Sequence, residues 1–128
     1  MQLSTTQRTN RLSNLTSNIG TSARLKIYTG SAPGIANSAT GTLLSTINLP
    51  SPAWTVSSGV ATLAGTWQDT SAAASGTPGY FRITDSAGTT IYLEGTAAVS
   101  SGELSFTATI SLGGTVTVTA FTLTEGNA

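Results

Sequence analysis

The 128-residue sequence predicts an all-β fold: an antiparallel β-sandwich, jelly-roll-like, with one short N-terminal helix. Three observations carry this. Apolar residues alternate with period two from residue 23 onward, Thr and Val fill the alternating runs, and Gly-, Ser- or Pro-rich turns recur about every ten residues. The length is that of one ordinary domain. It divides into an N-terminal helical arm over residues 1–22 and a single sandwich over residues 23–128.

The helix is expected over residues 4–19. Ser4 with Gln7 matches a capping box, Leu12, Leu15 and Ile19 form an apolar stripe, and Gly20 stands at the C-cap position. Its Thr, Ser and Asn content is poor for helix formation. Such a helix forms only when its stripe docks, either on its own sandwich or on another subunit.

Strands follow in turn. Leu25 and Ile27 alternate with Arg24, Lys26 and Tyr28 until the turn residues Thr29-Gly30-Ser31-Ala32-Pro33-Gly34, and a polar loop runs on to Gly41. Residues 43–49 form the next strand, ended by Pro50 and Pro52, which cannot donate to a ladder. Trp54-Thr55-Val56 and Val60-Ala61-Thr62-Leu63 make a hairpin about Ser57-Ser58-Gly59, continued by Gly65-Thr66-Trp67-Gln68. Residues 69–78, rich in Ser, Ala and Gly, are expected to be a flexible or partner-contacting loop.

Residues 80–84 and 90–93 flank Asp85-Ser86-Ala87-Gly88, a type I turn closed by glycine, so that Phe81 and Ile83 face Ile91 and Leu93. The last two strands, residues 104–110 and 115–123, are joined by Ser111-Leu112-Gly113-Gly114. The apolar phase slips by one between Val118 and Phe121, which calls for a bulge or burial of both faces. The expected core is Leu25, Ile27, Leu43, Ile47, Leu49, Val60, Leu63, Phe81, Ile83, Ile91, Leu93, Leu104, Phe106, Ile110, Val116, Val118 and Phe121.

Composition narrows the chemistry. Cysteine and histidine are both absent, which removes disulfides, the usual zinc ligands and the common nucleophile–base pairs. Charged residues are 8% of the chain and the net charge is zero, while Ser and Thr supply about a third of positions. No Lys/Arg cluster marks a nucleic-acid partner, and no segment is apolar for long enough to span a membrane. No signal peptide is evident at the N-terminus, so synthesis in the cytoplasm is expected. The four bases Arg8, Arg11, Arg24 and Lys26 precede residue 69, and five acids with Arg82 lie from residue 69 onward. This split offers complementarity between neighbouring subunits, or else strands that interleave with solvated charges.

No catalytic, cofactor or metal residues are assigned. Glu94 and Glu103 are the one carboxylate pair worth testing as an acid pair, without a supporting motif. Asp85-Ser86-Ala87-Gly88 lacks the ligand spacing of a calcium loop. The tryptophans Trp54 and Trp67 would suit a glycan platform if exposed, and core packing otherwise. Arg8, Arg11, Leu12 and Leu15 on the helix, with Trp54 after the prolines, are the expected partner-binding residues.

Several local patterns are similar to those of one family. They are Gly76-Thr77 before Tyr80-Phe81-Arg82, Asp85-Ser86-Ala87-Gly88, Gly95, Gly102-Glu103-Leu104, Gly113-Gly114 before Val116 and Val118, and the ending Phe121-Thr122-Leu123-Thr124-Glu125-Gly126-Asn127. A short helix before Ala23-Arg24-Leu25-Lys26-Ile27-Tyr28-Thr29-Gly30, then Pro33 and Leu43-Leu44, agrees. Together they resemble the capsid decoration (cement) proteins of tailed bacteriophages. The resemblance implies a jelly-roll sandwich on the outer capsid surface of the virion, bridging major capsid subunits as a homodimer or homotrimer. It implies no active-site residues. The alternative is a tail, fibre or baseplate module that reads a host-surface glycan through Trp54 or Trp67.

Overall fold

A computed structural model describes residues 4–19, 23–50, 54–99, 104–106 and 110–124. The chain runs α1 (Thr5–Ile19), β1 (Arg24–Tyr28), β2 (Leu43–Asn48), β3 (Trp54–Ser57), β4 (Val60–Leu63), β5 (Gln68–Asp69), β6 (Tyr80–Thr84), β7 (Ile91–Val99), β8 (Leu104–Phe106) and β9 (Val116–Thr124). It is an all-β sandwich with one helix, as the alternation predicts.

The hydrogen-bonded order is β2-β1-β6-β7-β8-β9-β4-β3, and β5 pairs with β9 as well. Every pairing is antiparallel except β7 with β8, which run parallel. The path folds back on itself, so that Phe81 of β6 meets Phe121 of β9 edge to face at 5.6 Å. β9 is long enough to take β5 and β4 on one flank and β8 on the other.

The core fills with aromatic rings where the layers meet. Trp67 packs on Trp54 at 5.4 Å and on Phe121 at 5.3 Å, and Trp67 is fully buried. Leu25, Ile27, Ile47 and Ile83 complete the first layer's inner face, and Val116, Val118 and Ile110 the second's. Ser105 pairs with Ala120 and Phe106 with Val118, which leaves Thr119 as an extra residue. That bulge brings Val118 and Phe121 inside together, as the slipped phase required.

A second bulge overturns one core assignment. β1 pairs Ile27 with Ser45 and Tyr28 with Leu43, so Leu44 is the extra residue and is buried in place of Leu43. Ile91 is also displaced. A register shift beside Ile83 sets Thr84 opposite Ile91 and Ile83 opposite Leu93, and Phe81 opposes Gly95. Val60, Leu63, Ile91 and Leu93 are half-buried rather than core. The side chains of Leu104 and Phe106 lie outside the described residues, as do Gly20, Pro52 and Glu103.

α1 docks on its own sandwich. Ser4 Oγ accepts the Gln7 amide at 3.2 Å, the expected N-cap. Leu12 and Ile19 are buried in the core, with Leu15 packed against it. The helix lies against β3 and β4, and Thr9 Oγ1 accepts the Gly59 amide at 2.8 Å. Ser58 and Gly59 have φ of 51° and 77°, the paired positive values of a type I′ hairpin turn. Gly59 suits that backbone, and the Arg8 side chain lies against it.

Residues 69–78 do not hang free. The amides of Ala73 and Ala72 donate to Leu44 O and Gly114 O, Gly113 donates back to Ala72, and Gly76 bridges Ile110. Ser45 Oγ donates to Asp69 Oδ2 at 2.6 Å. The segment stitches β2 to the β9 layer, which runs against the flexible-loop half of the expectation for residues 69–78. Its small residues serve close packing, as Ala72 is buried.

Trp67→Ala is expected to cost about 3–5 kcal/mol, the range for emptying a large core aromatic site. Urea unfolding followed by far-UV circular dichroism checks it, with an unchanged midpoint counting against the packing described.

Candidate functional site

The helix residues expected to meet a partner divide between inside and outside. Arg11 is exposed, whereas Leu12 is 1% exposed and belongs to the chain's own core. Leu12 is therefore not a partner contact: the stripe docks on β3 and β4 of its own sandwich. Leu15 is half-buried there. Arg8 is half-buried over the β3–β4 turn and donates from its guanidinium to Thr5 Oγ1 at 3.2 Å.

Trp54 is a second correction. β3 ends the strand path, as the prolines implied, but its first side chain points inward and is 7% exposed. The rings of Trp54 and Trp67 stand 85° apart. Two buried, perpendicular rings do not make the flat exposed platform on which a sugar stacks. The Trp54 Nε1 and Arg8 Nε donors are buried without a hydrogen-bond partner among the described residues, an energetic cost set against the packing they accompany.

The carboxylates are occupied by structure. Glu94 Oε2 accepts Arg82 Nε at 2.7 Å, and its Oε1 accepts the Gly34 amide at 3.0 Å. Arg82 is 3% exposed, and its terminal nitrogen donates to Gly34 O at 3.0 Å and to Asn37 O at 2.8 Å. Asp69 accepts from Ser45 and from the Ser71 amide. Asp85 accepts the Thr89 amide at 2.9 Å and its hydroxyl at 3.0 Å. Desolvation is the largest single effect and pushes the Asp85 carboxyl up, but the bonds from Thr89, Thr90 and Gly88 together outweigh it and hold the group below the ordinary value.

These contacts build a feature that the sequence reading missed. On the outer face of the first layer, Arg82 sits between Lys26 of β1 and Glu94 of β7 in register. Through Arg82 and Glu94 this face grips the loop of residues 29–42. Tyr80 Oη donates to Thr40 O at 2.6 Å and accepts the Thr40 amide at 2.9 Å. Tyr28 stacks on Tyr80 with ring centroids 4.9 Å apart and planes at 10°. The pinned loop and the sheet enclose an open cleft of about 390 Å³. Lys26, Tyr28, Arg82 and Thr84 line it from the sheet, and Ile35, Asn37 and Ile91 are among its other walls. Burial, then the neighbouring Tyr80, pushes the Tyr28 phenol up against a smaller opposing effect of Arg82, so it remains a neutral hydroxyl.

One signal for this feature exists in the sequence. Arg82 interrupts an apolar run, Tyr80-Phe81-Arg82-Ile83, and a cation so placed in a strand needs a cross-strand acid. Glu94 is the acid, set twelve residues on by the hairpin.

The described residues contain no cluster of three or more acids, His or Cys that could hold a metal. No described helix is long and apolar enough to cross a membrane. Compared with family models, known proteins and solved structures, the chain finds no match.

Removing Arg82 alone, as Arg82→Met, strands a buried Glu94 and is expected to cost about 3–5 kcal/mol. Adding Glu94→Leu should restore part of it, read as a rise in the urea midpoint of the double variant above the single one.

Asp85 supports a pH test. Its folded value is depressed, so its stabilisation is full above about pH 4 and is lost as pH falls through the folded value. Melting temperatures of wild type and Asp85→Asn should differ near neutrality and converge on acidification; a constant gap would contradict the turn's role.

Proposed function

We propose that this chain is a capsid decoration (cement) protein of a tailed bacteriophage. It binds the outer surface of the head and bridges neighbouring major capsid subunits, as a homodimer or homotrimer, after synthesis in the host cytoplasm. One observation supports the reading most: the described carboxylates and both tryptophans are committed to internal contacts. The outward positions of the strands and turns are mainly Thr, Ser, Ala and Gly.

Such a surface suits adhesion in a repeating lattice. Each contact is weak, but neighbours already docked raise the effective concentration for the next. Low charge removes the self-repulsion that keeps soluble proteins apart. The sequence patterns similar to the decoration family point the same way. A glycan-reading tail module is less well supported, because its two best aromatic residues are inside.

Purified chain mixed with empty shells of its own major capsid protein should co-sediment and saturate at a fixed copy number per shell. A protein that stays in the supernatant at every concentration overturns the proposal.

A further inference from the structure

We propose that the cleft between the loop of residues 29–42 and the outer face of β1 and β6 receives an acidic side chain, with an aliphatic neighbour, from an exposed segment of the major capsid protein. The inference rests on the decoration reading and names its contact surface.

Charge is the first argument. Arg24 and Lys26 stand on the outer face of β1, and neither has an acid or a hydrogen-bond partner among the described residues. The acids among the described residues are committed elsewhere: Glu94 to Arg82, Asp85 to its turn and Asp69 to Ser45. Lys26 also lies directly opposite Arg82 across the sheet. Arg82 has its own carboxylate, but Lys26 is left as a cation facing the cleft. In a chain with so few charges, an unanswered cation in a cleft calls for an anion from outside.

Shape is the second argument. Ile35, on the loop, is 50% exposed and is one of two large hydrophobic residues so exposed among those described. It lines the same cleft, as does Ile91. A cation on the floor with aliphatic walls matches a carboxylate carried beside an apolar side chain. A bare anion would leave those walls unused. The cleft's volume, about 390 Å³, holds a few side chains rather than a folded element.

Preorganisation is the third. The loop wall is fixed by three bonds from the Arg82–Glu94 pair and by two with Tyr80. Little ordering remains to oppose binding.

Lys26 is the only lysine in the sequence, which makes the test direct. Carbodiimide treatment of decorated shells forms an amide between an amine and a carboxylate in contact. Peptide mapping should find Lys26 joined to an Asp or Glu of the capsid protein. In parallel, Lys26→Glu and Ile35→Asp should each weaken co-sedimentation about tenfold or more, while Thr66→Glu, an exposed position between β4 and β5, keeps full occupancy. Melting temperatures within a few degrees of wild type would show that the variants remain folded. Wild-type binding should also weaken with salt.

If wild type binds shells but both cleft variants bind equally well and no Lys26 adduct forms, the cleft inference is overturned and the decoration reading stands. If wild type does not bind shells, both fall.

Discussion

Phe81 and Phe121 come from strands in different layers, and their edge-to-face contact is the point at which the curled sheet closes on itself. Around it Trp67 and Trp54 fill the space between layers, both within ring-contact distance of Phe121. A chain with 6% aromatic residues cannot spread such groups widely. Concentrating four of them at one junction supplies apolar area that Thr- and Ala-rich strands lack, with aromatic pair geometry adding about 0.5–1.5 kcal/mol each. The helix follows from the same constraint. Its weak intrinsic propensity is offset only because Leu12 and Ile19 extend this core beyond β3.

A different interaction organises the outside. The Arg82–Glu94 pair is nearly dry, with side chains 4% and 9% exposed. A buried pair is tolerable when its remaining donors and acceptors are satisfied. Here backbone groups of residues 34 and 37 satisfy them. The physical consequence is that a long loop becomes a fixed wall, held by charge-assisted bonds rather than by apolar burial. Using Glu94 inside has a further effect at the surface, since it leaves β1 with cations that no acid among the described residues offsets.

Local features were legible in the sequence and distant pairings were not. The N-cap at Ser4, the turn at Ser58-Gly59, the Asp85 hairpin and the bulge near Thr119 each depend on a few consecutive residues. Leu44 was misplaced because a bulge exchanges it for Leu43, and alternation alone treats two adjacent leucines as equivalent. β5 was read as continuing a hairpin, yet it pairs with β9, and the parallel pairing of β7 with β8 leaves no signature in either run. Trp54 shows the limit most clearly. Prolines mark the edge of a sheet, a property of the backbone, and they say nothing about which face the next side chain takes.

The charge split between the two halves of the sequence also takes its meaning from topology. β1 pairs with β6, so a strand of the basic half lies directly beside one of the acidic half, and their charges meet across that one boundary of the sheet. What survives is local: the described acids are tied to turns and to Arg82, and the cations of β1 are left outward. For a protein with many surface charges that residue would vanish among solvated pairs worth little each. In a surface of hydroxyl and methyl groups it is one of few features that distinguishes one docking register from another. If the chain cements a shell, non-directional contact can hold it there, but only sparse, fixed charges such as Lys26 can tell it where to sit.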